Sequence, residues 1–363
     1  MPCFTLRSSA NGDAAALKAA RGQPEAFTVA CCGLATFSAE QRRSFVKHRG
    51  PRELVAGLKD TLGDADAQVA GLCALRRLAA DAYGREAVGA AGAIPALMAA
   101  AAAHQADCAV LAAALSALAA LALHASNETQ AVAEGAIELC VETLGAFGAP
   151  SDAAAPADAA AAATAAAAAL RNLCGSAASQ QRAAASLPAL VAALKRSTPS
   201  APESLALPCA LLSALRNVCS LPRNKSAAAQ AGAVDAVLSL LRAAPDVAEV
   251  QQHGLGALWA LAGSAQNKVR IASDGGLELA LGALRAHPAH AGVQEAALGC
   301  LASVAWSNVA YKERARRGGA LALADAALAA FPADAAVRTR AAEAVARLTL
   351  TVDPNGDSFM AGI

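Results

Sequence analysis

A helical phrase returns along this chain at intervals near 43 residues, and that periodicity constrains the fold more than any other feature. It is clearest at Glu249–Ala280, EVQQHGLGALWALAGSAQNKVRIASDGGLELA. A helix-length apolar run is followed by a polar turn at Gln266-Asn267-Lys268, then by a Gly-Gly pair that opens another apolar run. The phrase recurs at Gln294–Leu323 and at Pro208–Val237. The glycine before each short apolar opening gives a register: Gly50, Gly92, Gly135, Gly232, Gly275 and Gly318, with Ala185 filling the place between Gly135 and Gly232. A leucine-type position on a longer helix marches with it, as in Leu75-Arg76-Arg77, Leu170-Arg171-Asn172, Leu215-Arg216-Asn217, Leu258-Trp259-Ala260, Leu301-Ala302-Ser303 and Val345-Ala346-Arg347. Such a period predicts a solenoid, in which no unit has a sufficient core and each buries its apolar face against its neighbours.

Within one unit the apolar spacing is helical. Val250, Ala257, Leu258 and Leu261 share a stripe with Gly254. Gly263-Ser264 breaks the run, Asn267 is expected to cap the short helix that follows, and Gly275-Gly276 to end that helix in a sharp turn. Leu277–Leu284 begins the next helix. Each unit is thus read as a short, a middle and a long third helix. Composition supports an all-α class: 56% of residues are hydrophobic, largely alanine, and only 3% are aromatic, so strand formers are scarce.

The repeat is expected over residues 24–350, after a loose segment at 1–23 and before a flexible tail at 351–363. Low-complexity inserts are expected near 148–163 and 196–203. No apolar leader is visible at the start, and the alanine-rich run Ala153–Leu170 is too weakly apolar, with Pro156 and Asp158 inside it, to read as a membrane span. The net charge of +1 supplies no global field toward nucleic acid or an anionic membrane, so neither is expected as a partner. Cys31, Cys73, Cys174, Cys219 and Cys300 lie in apolar runs and read as reduced core residues, which fits a cytoplasmic compartment, nuclear or ciliary placement being compatible. Cys3 follows Pro2, where myristoylation would need glycine, so acylation is not the expectation.

No catalytic signature is present: no GxSxG, no GxxxxGK[ST], no HExxH and no complete GxGxxG. No CxxC occurs, and His287 and His290 alone make a poor metal site and read as exposed loop residues. Neither an enzyme nor a cofactor is expected. Two basic clusters, Arg42, Arg43, Lys47, Arg49 and Arg52, and Lys312, Arg314, Arg316 and Arg317, have acids nearby and read as solvated faces.

The units resemble armadillo repeats. The residues that carry the resemblance are Ala169–Cys174 (ALRNLC), Ser213–Leu241 (SALRNVCSLPRNKSAAAQAGAVDAVLSLL) and Asn267–Leu281 (NKVRIASDGGLELAL). It covers about Pro24 to Leu350, some seven three-helix units with a partial one at the N-terminus. The resemblance implies an α-solenoid in a right-handed superhelix, whose third helices line a concave groove that holds an extended partner segment. It also implies a ladder asparagine that binds the partner's backbone. Only Asn172 and Asn217 match that asparagine; Arg77, Ser303 and Arg347 stand at the same place in other units. The tryptophan column of nuclear-import adaptors is filled here by Cys73, Ser213, Gly256, Gly299 and Glu343 among others, so a receptor for nuclear-localisation signals is not the expected role.

The candidate partner-binding set is Arg76, Arg77, Arg171, Asn172, Arg216, Asn217, Trp259, Ser303 and Arg347. Arginines repeated on one helix face offer bidentate contacts to carboxylates, which points to a protein partner with an extended, acidic segment. The opposing reading has these arginines lying over apolar neighbours and pairing with nearby acids. Trp259, in the column of Arg171 and Arg216, is read as an exposed aromatic anchor rather than as core. The expected function is a non-enzymatic scaffold or adaptor; the alternative is a structural subunit of a larger cytoskeletal or ciliary assembly.

Overall fold

The computed structural model describes residues 10–148, 157–197, 205–306, 308–352 and 358–360. The chain divides into two compact units, Met1–Ser179 and Gln180–Ile363. The first holds a helix pair, Ala10–Ala19 and Pro24–Leu34, and then three triplets: Ala39–Lys47, Gly50–Asp60 and Ala65–Leu78; Ala82–Ala90, Ala93–Ala103 and Cys108–Leu121; Ala125–Ala133, Ala136–Gly148 and Ala157–Leu173. The helix Ala177–Ala183 straddles the division. The second unit continues with a 3₁₀ turn at Ala184–Ser186, Leu187–Arg196 and Ala206–Val218, followed by three triplets: Pro222–Gln230, Ala233–Ala243 and Ala248–Leu261; Ala265–Ser273, Gly276–Ala286 and Ala291–Ala305; Val309–Arg317, Ala320–Ala330 and Ala335–Thr349.

Within each unit the third helices pack in succession, and the middle helices lie against them. The core between them is leucine, valine and alanine: Leu72, Leu75, Leu115 and Leu118 are fully buried in the first unit, and Leu215, Val250, Leu258 and Leu301 in the second. The stripe Val250, Gly254, Ala257, Leu258 and Leu261 is buried as its spacing predicts. Gly254 lets the neighbouring helix pack closely, since a Cβ there would lie 2.6 Å from Leu241 Cδ2.

The turn between short and middle helix is left-handed at Arg49, Gly92, Gly135, Gly232, Gly275 and Gly319, with φ from 64° to 89°. Two sequence markers shift by one residue: Gly319, not Gly318, makes the last turn, and Arg49, not Gly50, makes the first. Gly50 has another reason to lack a side chain, because a Cβ there would lie 2.2 Å from the buried Phe45 ring.

Buried polar side chains tie the repeats. Asn267 does not cap its helix. Its Nδ2 donates to Lys225 O (3.0 Å), 42 residues back, and to Leu261 O (3.1 Å). Asn127 does the same with Arg85 O and Leu121 O, and Asn224 with Gln180 O and Val218 O. Gln68, Gln251 and Gln294 each cap a middle helix through two of its terminal carbonyls. His287 is half-buried rather than solvated: its Nε2 bonds Pro245 O at 2.8 Å, as His104 bonds Leu62 O, and His290 Nδ1 accepts from Val293 N.

Further expectations are corrected. Residues 10–19, expected to be loose, form a helix because the alanine-rich sequence favours one and Leu17 is buried toward the helix Gly50–Asp60. Of the tail at 351–363, expected to be flexible, residues 351–352 and 358–360 are described and belong to an antiparallel pair, Leu350–Val352 with Ser358–Met360, and the rest lies outside the described residues. Residues 149–156 and 198–204, the hearts of the two inserts, lie outside the described residues, as does Cys3. Cys31, Cys174, Cys219 and Cys300 are buried, but Cys73 is exposed. Burial pushes the Cys174 and Cys300 thiols up to about 12, with Glu128 adding to the effect at Cys174. Lys312 is buried, not on a solvated face, and its Nζ donates to Leu350 O at 2.6 Å.

Candidate functional site

The third helices carry every residue of the candidate set. In the first unit Arg76, Arg77 and Arg171 are exposed and Asn172 is half-buried. The amide of Asn172 is engaged inside the protein: Nδ2 donates to Ala119 O on the preceding third helix (2.8 Å), and Oδ1 accepts from Arg171 Nε (3.1 Å). The ladder role implied by the resemblance therefore meets an amide already holding its own backbone. Val29, Cys32 and Cys73 are exposed in the same unit.

The second unit concentrates the chemistry. Arg216 leaves the helix Ala206–Val218 and lies across Gly256 of the next third helix, where a Cβ would sit 3.5 Å from Arg216 Nη1. One unit further on, the Trp259 ring lies on Gly299, where a Cβ would sit 2.8 Å from two ring carbons. Glycine at these two places lets a large side chain from one unit cross the helix of the next. Arg216 Cζ is 5.7 Å from the Trp259 centroid and Arg340 Cζ is 4.7 Å from it. Trp259 is half-buried and serves as a platform for two guanidinium groups, not as the exposed anchor expected of it.

A second platform follows. Arg347 Cζ stands 5.0 Å from the Trp306 centroid, and Lys312 Nζ 5.7 Å. Glu343 joins the two platforms: it pairs with Arg340 Nη1, and its Oε1 is 2.5 Å from Arg347 Nη2. Burial, and next the charge of Arg347, pull the Lys268 ammonium below its ordinary value. For Lys312 burial again comes first and Arg316 second. Arg216, Arg340 and Arg347 are thus ordered by indoles, with the Glu343 carboxylate between the last two.

The structure thus brings together Arg216, Trp259 and Arg347; Asn217 is half-buried on the helix of Arg216, and Ser303 is half-buried on the third helix Ala291–Ala305. Arg76, Arg77, Arg171 and Asn172 belong to the other unit. Sequence reasoning missed Arg340, Glu343, Trp306 and Lys268. The i, i+3, i+7 spacing of Arg340, Glu343 and Arg347 was the available signal, since it sets three charges on one side of a helix.

No protein-family model matches the sequence, and comparison with curated proteins yields no relative. Solved structures do match. A computationally designed armadillo repeat protein for modular peptide recognition superposes with a TM-score of 0.55 at 21% identity, over 69% of this chain and 98% of that one. A designed armadillo repeat protein in complex with the peptide (KR)4 gives 0.57 at 21%, over 70% and 100%. A chain from a study of the phosphorylation switch in the interaction between cadherin and β-catenin gives 0.61 at 16%, over 92% and 75%. The chain has the armadillo fold. Among the described residues of this armadillo chain, no single helix is long and apolar enough to cross a membrane.

Proposed function

We propose that the chain is a non-enzymatic scaffold that holds an extended, acidic segment of a partner protein on the third-helix face of its second unit. The observation that carries this reading is the stack of Arg216 and Arg340 on Trp259, continued by Arg347 on Trp306. A guanidinium laid on an indole is already ordered and gives up little side-chain freedom when it binds a carboxylate. Two solved neighbours are designed for peptide recognition or hold the basic peptide (KR)4. The cationic face of this chain selects the opposite charge.

The test is fluorescence anisotropy with a labelled alternating Glu-Ala decapeptide and with (KR)4. The acidic peptide is expected to bind in low salt, to weaken as salt rises, and to be lost in Arg216→Glu with Arg340→Glu while circular dichroism stays unchanged. Equal binding of the two peptides, or acidic binding untouched by the double change, would reject this face as the site.

A further inference from the structure

Glu343 is the one carboxylate paired with Arg340 and Arg347 among the described residues, and both of its oxygens are taken, one by each arginine. Each guanidinium is also fixed from the other side, Arg340 by Trp259 and Arg347 by Trp306. Arg340 Nε is buried and has no hydrogen-bond partner in the structure. Lys268 lies close enough to Arg347 for the two charges to repel. Three cations thus face one carboxylate, and one buried donor lacks an acceptor, which a native structure seldom leaves without a reason.

A partner's carboxylate arriving here would only exchange with Glu343, oxygen for oxygen and charge for charge. A phosphate brings nearly two charges and three acceptor oxygens. It can span both arginines and still have an oxygen for Arg340 Nε or Lys268. We infer that the Arg340–Glu343–Arg347 bridge is the seat of a phosphorylated side chain in the bound segment, with Glu343 as the internal stand-in that the phosphate displaces. Phosphates of a nucleic-acid strand share this chemistry, but single strands also need open aromatic faces for their bases. Here Trp259 lies on Gly299 and is flanked by two guanidinium groups, and Trp306 is flanked by Arg347 and Lys312. A protein segment is the better fit. The inference rests on the acidic-segment reading of this face.

The experiment uses the full chain and three pools of ten-residue peptides. They are degenerate in Asp, Glu, Ala and Ser, and each fixes a central phosphoserine, glutamate or serine. The phosphoserine pool is expected to bind about tenfold more tightly than the glutamate pool. Glu343→Gln is expected to raise the affinity of the glutamate pool and narrow that ratio. Arg340→Lys with Arg347→Lys keeps the charge but removes the forked donors, so it should weaken both pools and bring the phosphoserine and glutamate pools to equal affinity. Equal binding of the phosphoserine and glutamate pools overturns the phosphate seat and leaves the acidic groove standing; failure of both pools overturns both readings. Displacement of the phosphoserine pool by inorganic phosphate at the peptide's own concentration would make this a free-anion site, and tighter binding of a ten-nucleotide single strand would make it a nucleic-acid site. Either result overturns the proposal.

Discussion

Arg49 and Gly299 show how much a single side chain decides in an array built from small residues. Arg49 holds the left-handed turn that glycine holds at five other junctions, with φ 64°. A Cβ in that region is disfavoured by about 1–2 kcal/mol, part of which glycine returns through its freer unfolded chain. Arg49→Gly should therefore raise stability by about 0.5–1 kcal/mol, read as a higher urea midpoint with an unchanged slope. Glycine-to-alanine changes inside helices split by surroundings. Gly282, in the exposed interior of Gly276–Ala286, has nothing within 4 Å of its added Cβ, so Gly282→Ala should stabilise by about 0.5–1 kcal/mol through helix propensity. Gly299→Ala drives a methyl into the Trp259 ring and should destabilise by about 1–3 kcal/mol. It should also shift tryptophan emission to the red and weaken acidic-peptide binding several-fold as Arg340 loses its platform. An unchanged emission maximum in Gly299→Ala would show that the ring does not depend on that gap.

Elements are joined here by amides as much as by apolar surface. The buried Asn267 serves two carbonyls of the repeat before it, Lys225 O on its short helix and Leu261 O at the end of its third helix. Asn267→Ala removes two amide hydrogen bonds at the junction, while Leu261 O keeps the Ser264 N–H, and should destabilise by about 1–2 kcal/mol. Val269 on the same short helix is exposed, and Val269→Ala should change stability by less than about 0.5 kcal/mol. Denaturant titrations of the two variants measure the contrast. The third helices, the left-handed glycine turns and the buried leucine stripe were legible in the sequence because each is a local rule repeated near every 43 residues. The part played by Asn267 was not. A residue just inside a helix start looks like a cap in one dimension, and only packing shows that its amide reaches back 42 residues. The site divides the same way. Arg216, Trp259 and Arg347 were visible as columns, and Glu343 stood in one as well, but its pairing with both arginines, and the link through Arg347 to the out-of-register Trp306, appear only in the packing. The helix at Ala10–Ala19 was missed because a short alanine-rich segment is marginal until Leu17 finds its core.

At the scale of the whole molecule, the buried thiols and the placement of the tryptophans allow each compact unit to be followed by itself. Both tryptophans, Trp259 and Trp306, lie in the second unit, so indole emission reports that unit alone, while far-ultraviolet dichroism reports helices in both. Cys174 belongs to the first unit and Cys300 to the second, and each thiol is held up to about 12 from an ordinary 9.0. The raised folded value fixes the sign. Below pH 9 both states are protonated and the contribution to stability is complete. Above it the unfolded thiol ionises while the folded one cannot, so stability falls with rising pH until the folded value is reached. Each thiol should contribute a slope of about 1.4 kcal/mol per pH unit across that window. Stacked repeats take their stability from nearest neighbours and need not unfold together. Cys300→Ala is therefore expected to flatten the alkaline fall in stability seen by tryptophan emission. Cys174→Ala should flatten only the part seen by dichroism. If either substitution moved both signals equally between pH 9 and 11, the two units would have to unfold as one cooperative body.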